Sequence, residues 1–251
     1  MAGRFDERVL FCTGAGSGIG AAVARRFAAD GGRVALVDVD LDAARSVAAG
    51  IDGGMAVAAD VSDETSVAEA VTSVTERMGH IDALYNGAAV LLAGVAMTSP
   101  LADFERQLSI NTVGTYLVCK AVGAHMKARG GGAIVNTTSV VAYVARANRG
   151  LYAATKGAIE PLSKHLALEL APTVRVNCVS PGPTLTGMTR EHYLAAGATL
   201  EDSLAKVGSQ VLLNRVATPD ELAAAICFLL SDDASYVNGT VLTVDGGMTA
   251  E

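Results

Sequence analysis

Short runs of β-branched and other apolar residues alternate along the chain with longer, alanine-rich segments. The first run, Val9–Thr13, is apolar on both of its faces until its last residue. Such runs are typical of strands buried on both sides of a parallel sheet. The alternation predicts seven strands: Val9–Thr13, Arg33–Asp38, Met55–Asp60, Ile81–Asn86, Ala133–Thr138, Val174–Ser180 and Thr240–Val244.

The segments between these runs have the length and composition of helices. They are Gly18–Asp30, Asp40–Ala49, Ser62–Met78, Asp103–Arg129, Leu151–Leu170 and Pro219–Leu230. Right-handed crossovers place such helices on both faces of the sheet. We therefore expect an α/β fold, a single doubly wound Rossmann domain over residues 1–251 with a seven-stranded parallel sheet. Ligands of such folds bind at the carboxyl ends of the strands.

One segment, Leu185–Arg215, departs from this rhythm. It is long, it is interrupted by Gly187, Gly197 and Gly208, and it follows the carboxyl end of a predicted strand. Long insertions in compact domains are commonly functional loops. We expect a substrate lid at about residues 185–215.

Composition excludes several classes of partner. The formal net charge is −7, and no cluster of lysine and arginine offers a nucleic-acid surface. Neither a signal-peptide core nor an apolar run of membrane-spanning length is present. The four cysteines are scattered through apolar stretches, as expected of reduced thiols, and no cysteine or histidine spacing indicates a metal site. We expect a soluble, cytoplasmic protein with no nucleic-acid partner, no membrane partner and no metal.

A glycine-rich loop follows the first strand. The sequence Thr13-Gly14-Ala15-Gly16-Ser17-Gly18-Ile19-Gly20 leads from that strand into the first helix. Glycines let the backbone approach a pyrophosphate, and the helix N-terminus offers free N–H groups to it. An ordinary sharp turn is the alternative, but the position between a strand and a helix favours a dinucleotide site.

Acidic residues close the next two strands. Asp38 matches the carboxylate that accepts hydrogen bonds from an adenosine ribose, and it would repel a 2′-phosphate. No lysine or arginine occurs in the glycine loop or just after Asp38, which favours NAD over NADP. Alternatively, Asp38 caps the helix that starts near Asp40. Asp60 either contacts the adenine or caps the next helix, and the sequence leaves both open.

Tyr152 and Lys156 lie one turn apart on a predicted helix. A neighbouring ammonium lowers a tyrosine pKa, so the pair can act as general base and acid on an alcohol or ketone. Tyr-x-x-x-Lys alone is common on helices. Ser139, at the end of a strand, could hold the substrate oxygen beside Tyr152 or simply cap a turn. Asn111 interrupts a helical run, which indicates a local irregularity, a cap or core hydrogen bonding.

Together these motifs resemble the short-chain dehydrogenase/reductase family over nearly the whole chain. The glycine loop resembles the family's TGxxxGxG signature, and Asn111, Ser139, Tyr152 and Lys156 match its catalytic tetrad in order and spacing. Pro181-Gly182 resembles its proline–glycine turn, and Val241–Gly247 its closing strand. The resemblance implies NAD contacts at Gly14, Ser17, Gly18, Ile19, Gly20, Asp38, Asp60, Val61, Asn86, Tyr152, Lys156, Pro181, Gly182 and Thr184.

The resemblance also implies a mechanism. Tyr152 as phenolate takes the hydroxyl proton while the carbinol hydride moves to the nicotinamide, and Ser139 orients the substrate oxygen. Lys156 lowers the Tyr152 pKa and holds the nicotinamide ribose, and Asn111 supports a water chain from Lys156 to solvent. A homo-oligomer is implied as well, usually a tetramer, with the helices Asn111–Met126 and Leu151–Leu170 as one interface.

One stretch departs from the family pattern. Asn86-Gly87-Ala88-Ala89 stands where the family often has Asn-Asn-Ala-Gly. The missing second asparagine and final glycine put the support of this loop beside the cofactor in doubt.

The expected substrate wall is largely apolar, with Leu91, Leu92, Val140 and, as candidate substrate contacts, Val141, Met188 and His192. Such a wall favours a small, largely apolar or cyclic secondary alcohol or its ketone. Arg146 and Arg149 either meet an anionic substrate or are solvated surface charges, and we expect the latter. A non-catalytic NAD-binding regulatory protein and a nucleotide-sugar epimerase-like enzyme are the alternative functions.

Overall fold

The computed structural model describes residues 3–194 and 199–250, with side chains for all of these except 191–194. Seven strands form one parallel sheet: β1 Val9–Thr13, β2 Arg33–Asp38, β3 Met55–Ala58, β4 Ala83–Asn86, β5 Gly132–Thr137, β6 Val174–Pro181 and β7 Val241–Val244. Their order across the sheet is β3-β2-β1-β4-β5-β6-β7. The predicted doubly wound α/β fold is confirmed.

Ten α-helices connect or follow the strands in the described ranges. They are α1 Gly18–Ala29, α2 Leu41–Ala48, α3 Glu64–Met78, α4 Leu101–Gln107, α5 Gly114–Arg129, α6 Gly150–Gly157, α7 Ile159–Leu170, α8 Gly187–Leu194, α9 Leu200–Gly208 and α10 Pro219–Leu230. A π-helical segment, Leu108–Val113, joins α4 to α5, and short 3₁₀ turns occupy Val140–Ala142 and Asp232–Ala234.

The helix boundaries differ from the prediction in three places. The predicted helix Asp103–Arg129 is divided by the π-helical segment, and the predicted helix Leu151–Leu170 is divided into α6 and α7. The segment that broke the strand–helix rhythm, 185–215, contains two helices of its own, α8 and α9. These divisions depend on tertiary contacts that a period of 3.6 residues does not encode.

Alternating strand residues feed two apolar clusters. Leu10 and Cys12 of β1 belong to one cluster, with residues of α1 and α10, whereas Val9 and Phe11 belong to the other, with residues of α3 and α5. Successive strand side chains point to opposite faces of a sheet. The sheet is therefore covered on both sides, which explains why its strands read as continuous apolar runs.

The order in which strands are added to the sheet reverses between β1 and β4. The chain builds β2 and β3 on one side of β1, then crosses to the other side to form β4, β5, β6 and β7. The register aligns Thr13 with both Val37 and Asn86, so the carboxyl ends of these strands meet at one edge. A crevice at such a switch point is where doubly wound folds bind ligands.

Within the described ranges, every helix is too short or too polar to cross a bilayer. The four cysteines are free thiols, all of them buried. Among the same residues, no group of histidine, cysteine and carboxylate side chains is arranged to hold a metal ion.

Candidate active site

A cavity of about 1030 Å³ opens at the carboxyl edge of the sheet. That volume is at the upper end for small-molecule sites, so an extended ligand fits. Most of the predicted site residues line it together: Gly14, Ser17, Gly18, Ile19, Gly20, Asp38, Asp60, Val61, Ser139, Val141, Tyr152, Lys156, Pro181, Gly182, Thr184 and Met188. The sequence thus located one continuous site from residues spread over more than half of the chain.

The glycine loop forms a cradle that side chains would fill. Gly14 has a φ of +66°, and a Cβ added there would lie 2.8 Å from the backbone nitrogen of Ala88. Helix α1 starts at Gly18, and the side chain of its N-cap residue Ser17 makes no capping hydrogen bond. The first N–H groups of this helix are therefore left for an anion, as a pyrophosphate requires. The loop fits a dinucleotide.

Asp38 supports the loop rather than the helix that follows it. One carboxylate oxygen accepts a hydrogen bond from the Gly16 N–H at 2.9 Å, and the other accepts from the Asp40 N–H at 3.0 Å. The N-cap of α2 is Asp40, whose own carboxylate accepts from Asp42 and Ala43. The alternative role of Asp38 as helix cap is thus taken by Asp40, and the Asp38 carboxylate lies against the cavity.

Asp60 follows the same pattern. Its carboxylate accepts hydrogen bonds from the N–H and hydroxyl of Ser62, at 2.9 and 2.6 Å. The N-cap of α3 is Asp63, which accepts from the Ser66 N–H. Asp60 therefore shapes a turn in the cavity wall and does not cap the helix.

Tyr152 and Lys156 lie on α6, and both line the cavity. The Lys156 side chain is buried, and its ammonium donates a hydrogen bond to the carbonyl oxygen of Thr137 at 2.8 Å. Its Nζ lies 5.9 Å from the centroid of the Tyr152 ring. This geometry leaves the ammonium near the phenol, with hydrogen atoms remaining for a ligand.

The pKa of Tyr152 is raised to about 12, mainly because burial disfavours the phenolate, and the charge of Arg149 partly opposes the rise. Burial also lowers the pKa of Lys156 to about 8, so the amine is still largely protonated at neutral pH. The expected lowering of the Tyr152 pKa by Lys156 is not found in the protein alone. Instead, Arg149 is the cation whose charge favours the phenolate.

Asn111 lies in the π-helical segment, so the irregularity predicted there is confirmed. Its amide oxygen accepts from the Val90 N–H at 2.8 Å, and its amide nitrogen donates to the Val90 carbonyl at 2.9 Å and to the Thr155 hydroxyl at 3.0 Å. The side chain is fully buried and does not line the cavity. It ties α6 to the loop after β4, and both of its donors are occupied.

Ser139 lies at the cavity and also accepts a hydrogen bond in the turn that follows it. It lines the cavity, and its hydroxyl oxygen accepts a long hydrogen bond of 3.4 Å from the Val141 N–H, at the start of the 3₁₀ turn. Such a weak bond leaves the hydroxyl proton able to point at a ligand oxygen.

The chain is similar to known proteins over nearly its whole length. A family model described as enoyl-(acyl carrier protein) reductase matches residues 14–249. The chain is 41% identical over 251 residues to D-threitol dehydrogenase of Mycolicibacterium smegmatis, covering 98% of this chain and 94% of that protein. It is 38% identical over 250 residues to meso-2,3-butanediol dehydrogenase of Serratia marcescens, covering 98% and 96%. The crystal structure of levodione reductase superposes with a TM-score of 0.93 at 34% identity, covering 98% of this chain and 99% of that one.

The chain belongs to the short-chain dehydrogenase/reductase family.

As a member of this family, it is an oxidoreductase of CH–OH groups. It transfers a hydride between a secondary alcohol, or the corresponding ketone, and a nicotinamide cofactor. The sequence-based prediction of the reaction class is confirmed, and the two alternative functions, regulator and epimerase, are not needed.

The departure of this dehydrogenase from the family pattern at residues 86–89 has a structural reason. A Cβ at Gly87 would lie 2.5 Å from the ring of Tyr85 and 2.8 Å from the Thr13 carbonyl oxygen. Tyr85 is fully buried, so its ring cannot move aside cheaply. The N–H groups of Gly87 and Ala88 donate to the Thr13 hydroxyl at 3.2 and 3.3 Å. Gly87 thus accommodates Tyr85, and the loop is held by Thr13.

Asn86 is the predicted cofactor contact that the structure leaves outside the cavity lining. The side chain is buried, and its amide nitrogen donates to the amide oxygen of Asn136 at 2.9 Å. Its amide oxygen accepts a long hydrogen bond of 3.4 Å from the Thr13 hydroxyl. It therefore supports the loop from behind.

The predicted lid is anchored at both ends. The Leu185 N–H donates to the Ala217 carbonyl, and the Ala217 N–H donates to the Pro183 carbonyl, both at 2.9 Å. Met188 of α8 lines the cavity, as predicted. The side chain of His192 lies outside the described residues.

Sequence reasoning missed the threonines that position α6, the helix of Tyr152 and Lys156. Thr155 donates to the Tyr152 carbonyl at 2.8 Å and accepts from Asn111, while Thr112 and Thr138 donate to the backbone carbonyls of Thr155 and Lys156, both at 2.9 Å. Apart from Tyr152, their partners are distant in sequence. Only the adjacency of Thr155 to Lys156 and of Thr138 to Ser139 hinted at them.

Proposed function

We propose that this dehydrogenase uses NAD to oxidise a small secondary alcohol on a largely apolar or cyclic skeleton, with Tyr152 as the catalytic base. The supporting observation is that Tyr152, Lys156 and Ser139 line the same cavity as the glycine loop. The helix α1 that follows this loop has no side-chain cap at its N-terminus. The similarity to dehydrogenases of threitol and butanediol supports a small secondary alcohol as substrate.

NAD is favoured over NADP by the charge at the adenosine end. Asp38 is held against the loop by the Gly16 N–H, where the ribose of a bound dinucleotide would meet it. The lysines and arginines of the described cavity wall belong to α4, α6 and α9 and to the segment between β5 and α6. A 2′-phosphate beside Asp38 would meet a carboxylate, and none of these described wall cations lies on β2, on α2 or in the glycine loop.

The proposed cofactor contacts are the cavity-lining members of the predicted set. The glycine loop and the N-terminus of α1 would hold the pyrophosphate, Asp38 the ribose, and Asp60 and Val61 the adenine. Lys156 would hold the nicotinamide ribose, and Thr184, with the Pro181-Gly182 turn, the carboxamide. When bound, the nicotinamide supplies the hydride-accepting carbon.

The chain's own residues then handle the proton. Ser139 donates a hydrogen bond to the substrate oxygen, and Tyr152 removes the hydroxyl proton as the hydride leaves. Asn111 acts through Thr155 by holding α6 in place. Since both amide donors of Asn111 are engaged, a water in the proposed relay would contact its backbone or the amide oxygen.

We further propose that residues 1–251 act as one catalytic domain, with α8 and α9 as the lid over the substrate. Exposed apolar side chains on α5 and α7, including Tyr116 and Leu168, support a homo-oligomer, which we take to be a tetramer. Four buried free thiols fit a cytoplasmic location. Light scattering after size-exclusion chromatography would show a mass near four chains, and a monomer would contradict the oligomer.

The function is tested by incubating the protein with NAD or NADP and a panel of secondary alcohols, including threitol, 2,3-butanediol and cyclohexane-1,2-diol. We expect formation of reduced cofactor, faster with NAD, from at least one alcohol. The Tyr152→Phe variant is the matched control for contaminating activity. Equal or faster reaction with NADP would contradict the choice of cofactor.

The raised pKa of Tyr152 predicts the pH dependence of the reaction. Because the protein holds this pKa near 12, the phenolate is scarce at neutral pH, and oxidation should accelerate as pH rises. Ketone reduction uses the protonated phenol and should not show this rise. The check is kcat/KM for the alcohol at saturating NAD between about pH 6 and about pH 10. A flat or falling profile for oxidation would exclude Tyr152 as the base.

A further inference from the structure

Among the described residues, carboxylates line one end of the cavity wall and cations line the other. The described carboxylates in the wall are Asp38 and Asp60, which follow β2 and β3 at the adenosine end. The other end carries cations although the whole chain has a net charge of −7. These cations, besides Lys156, are Arg106, Arg146, Arg149 and Lys206.

The four cations come from three separate parts of the chain. Arg106 lies at the end of α4, Arg146 and Arg149 between β5 and α6, and Lys206 on α9 of the lid segment. Elsewhere in the described chain, many exposed cations have a carboxylate partner, such as Arg215 with Glu221 and Lys120 with Glu64. Among the described residues, no carboxylate forms an ion pair with Arg106, Arg146 or Lys206.

Arg149 is the cation closest in sequence to the catalytic tyrosine. It is the N-cap residue of α6, three positions before Tyr152, and it is only partly exposed, whereas Arg106, Arg146 and Lys206 are exposed. Its charge stabilises the phenolate of Tyr152, so the field of the guanidinium reaches the reacting oxygen. Arg149 and Tyr152 line the same cavity at the start of α6, so one small molecule can present an acid group to Arg149 and its carbinol to Tyr152.

Much of the rest of this end is apolar, although Ser109, Ser203 and Gln210 also line it. Val90, Leu91, Val140, Val141, Met188, Val207 and Met248 line it. These side chains suit a hydrocarbon skeleton, and a guanidinium at the edge of an apolar pocket pairs with a carboxylate or sulfonate through two parallel hydrogen bonds. A secondary alcohol with a hydrocarbon skeleton and an acid group would contact both the apolar side chains and the guanidinium.

We propose that the substrate carries a carboxylate or sulfonate besides its secondary hydroxyl, and that Arg149 binds this acid group while Arg106, Arg146 and Lys206 attract it to the cavity. This inference rests on the proposed function and narrows its substrate class. It also reverses the expectation that Arg146 and Arg149 are merely solvated charges.

The test compares acids with neutral molecules of the same shape. The probes are 3- and 4-hydroxycyclohexanecarboxylate, 4-hydroxypentanoate and 2-hydroxypropanesulfonate, each paired with its amide or sulfonamide. We expect kcat/KM to be at least about 10-fold higher for the acid in one or more pairs, since a hydrogen bond to a charged group contributes about that factor. Added salt should lower kcat/KM for the acid and leave kcat/KM for the amide nearly unchanged. Equal or better use of the amide in every pair would overturn the inference.

Substitutions at single residues show which cations produce the preference for the acid over the amide. Arg149→Gln should reduce the acid-to-amide ratio about 10-fold, chiefly through KM for the acid, and Arg149→Lys should retain part of it. Arg146→Gln should reduce the ratio less and keeps the inference testable if Arg149→Gln fails to fold. The matched control is Arg77→Gln, an exposed arginine near the end of α3 that does not line the cavity. An unchanged ratio in both the Arg149 and Arg146 variants would overturn the inference.

Failure of this inference is distinguishable from failure of the proposed function. If neutral alcohols are oxidised with NAD and the acids are not preferred, the function stands and the inference falls. If no alcohol is oxidised with either cofactor, the function falls, and calorimetric titration with cyclohexanecarboxylate and its carboxamide decides the inference. Tighter binding of the carboxylate, lost in Arg149→Gln, would support it, and equal binding would overturn it.

Discussion

Replacing Tyr152 by phenylalanine is expected to lower kcat for alcohol oxidation by about two to four orders of magnitude, the usual contribution of a positioned acid or base. The substitution removes only the phenol oxygen. The ring stays on α6, where the hydrogen bonds of Thr155 with Asn111 and with the residue 152 carbonyl hold the helix. Lys156 keeps its hydrogen bond to Thr137, so NADH binding should change little. The measurement is kcat by NADH absorbance together with the Kd for NADH by fluorescence titration.

Tyr143→Phe is the matched control for this variant. Tyr143 is an exposed tyrosine at the end of the turn that follows Ser139, and its hydroxyl donates to Glu160 rather than facing the cavity. We expect nearly normal kcat from it. Substantial turnover by Tyr152→Phe, or an equal loss in both variants, would show that the Tyr152 phenol is not the catalytic acid and base.

Replacing Asp38 by alanine is expected to reduce the preference for NAD over NADP by about one to two orders of magnitude, which corresponds to losing hydrogen bonds to a charged group. In the proposed function this carboxylate accepts hydrogen bonds from the adenosine ribose, so its loss should lower kcat/KM with NAD. Loss of the negative charge should also remove the repulsion of a 2′-phosphate and raise kcat/KM with NADP. Both cofactors are measured with the same alcohol.

Two further variants separate charge from loop support. Asp38→Asn keeps an oxygen that can accept from the Gly16 N–H but removes the charge, so it should improve the use of NADP more than it harms the use of NAD. Asp42→Ala alters an exposed carboxylate on α2, outside the cavity, and should leave the preference unchanged. A wild-type protein that already prefers NADP would contradict the assigned role of Asp38.

Much of the site was predictable because its chemistry is concentrated in short motifs at the ends of strands. Apolar runs placed β1 and β2 at the residues observed, and parallel strands bring their carboxyl ends to one edge. Asp38 and the glycine loop therefore had to meet at that edge. The prediction extended β3 by two residues, to Asp60, because the apolar pattern continues into the turn that Asp60 organises with Ser62.

The division of the long helix was only partly predictable. Asn111 indicated an irregularity because its amide competes with the helical backbone. The π-helical segment, Leu108–Val113, contains Asn111, whose side chain bonds to Val90 and Thr155, 21 and 44 residues away. Pairings at that separation leave no periodic trace in the sequence.

The sequence by itself determined the doubly wound sheet and the glycine loop and, with the family resemblance, made Tyr152 and Lys156 the candidate reacting pair, because periodicity and motif spacing are local properties. Only the tertiary structure decided the electrostatics of that pair. From spacing alone, Lys156 was expected to lower the pKa of Tyr152, but burial raises it and Arg149 opposes the rise. The burial of Tyr152 and the charges near it depend on the residues that pack around it. These are set only when α4, α6 and α9 surround one cavity.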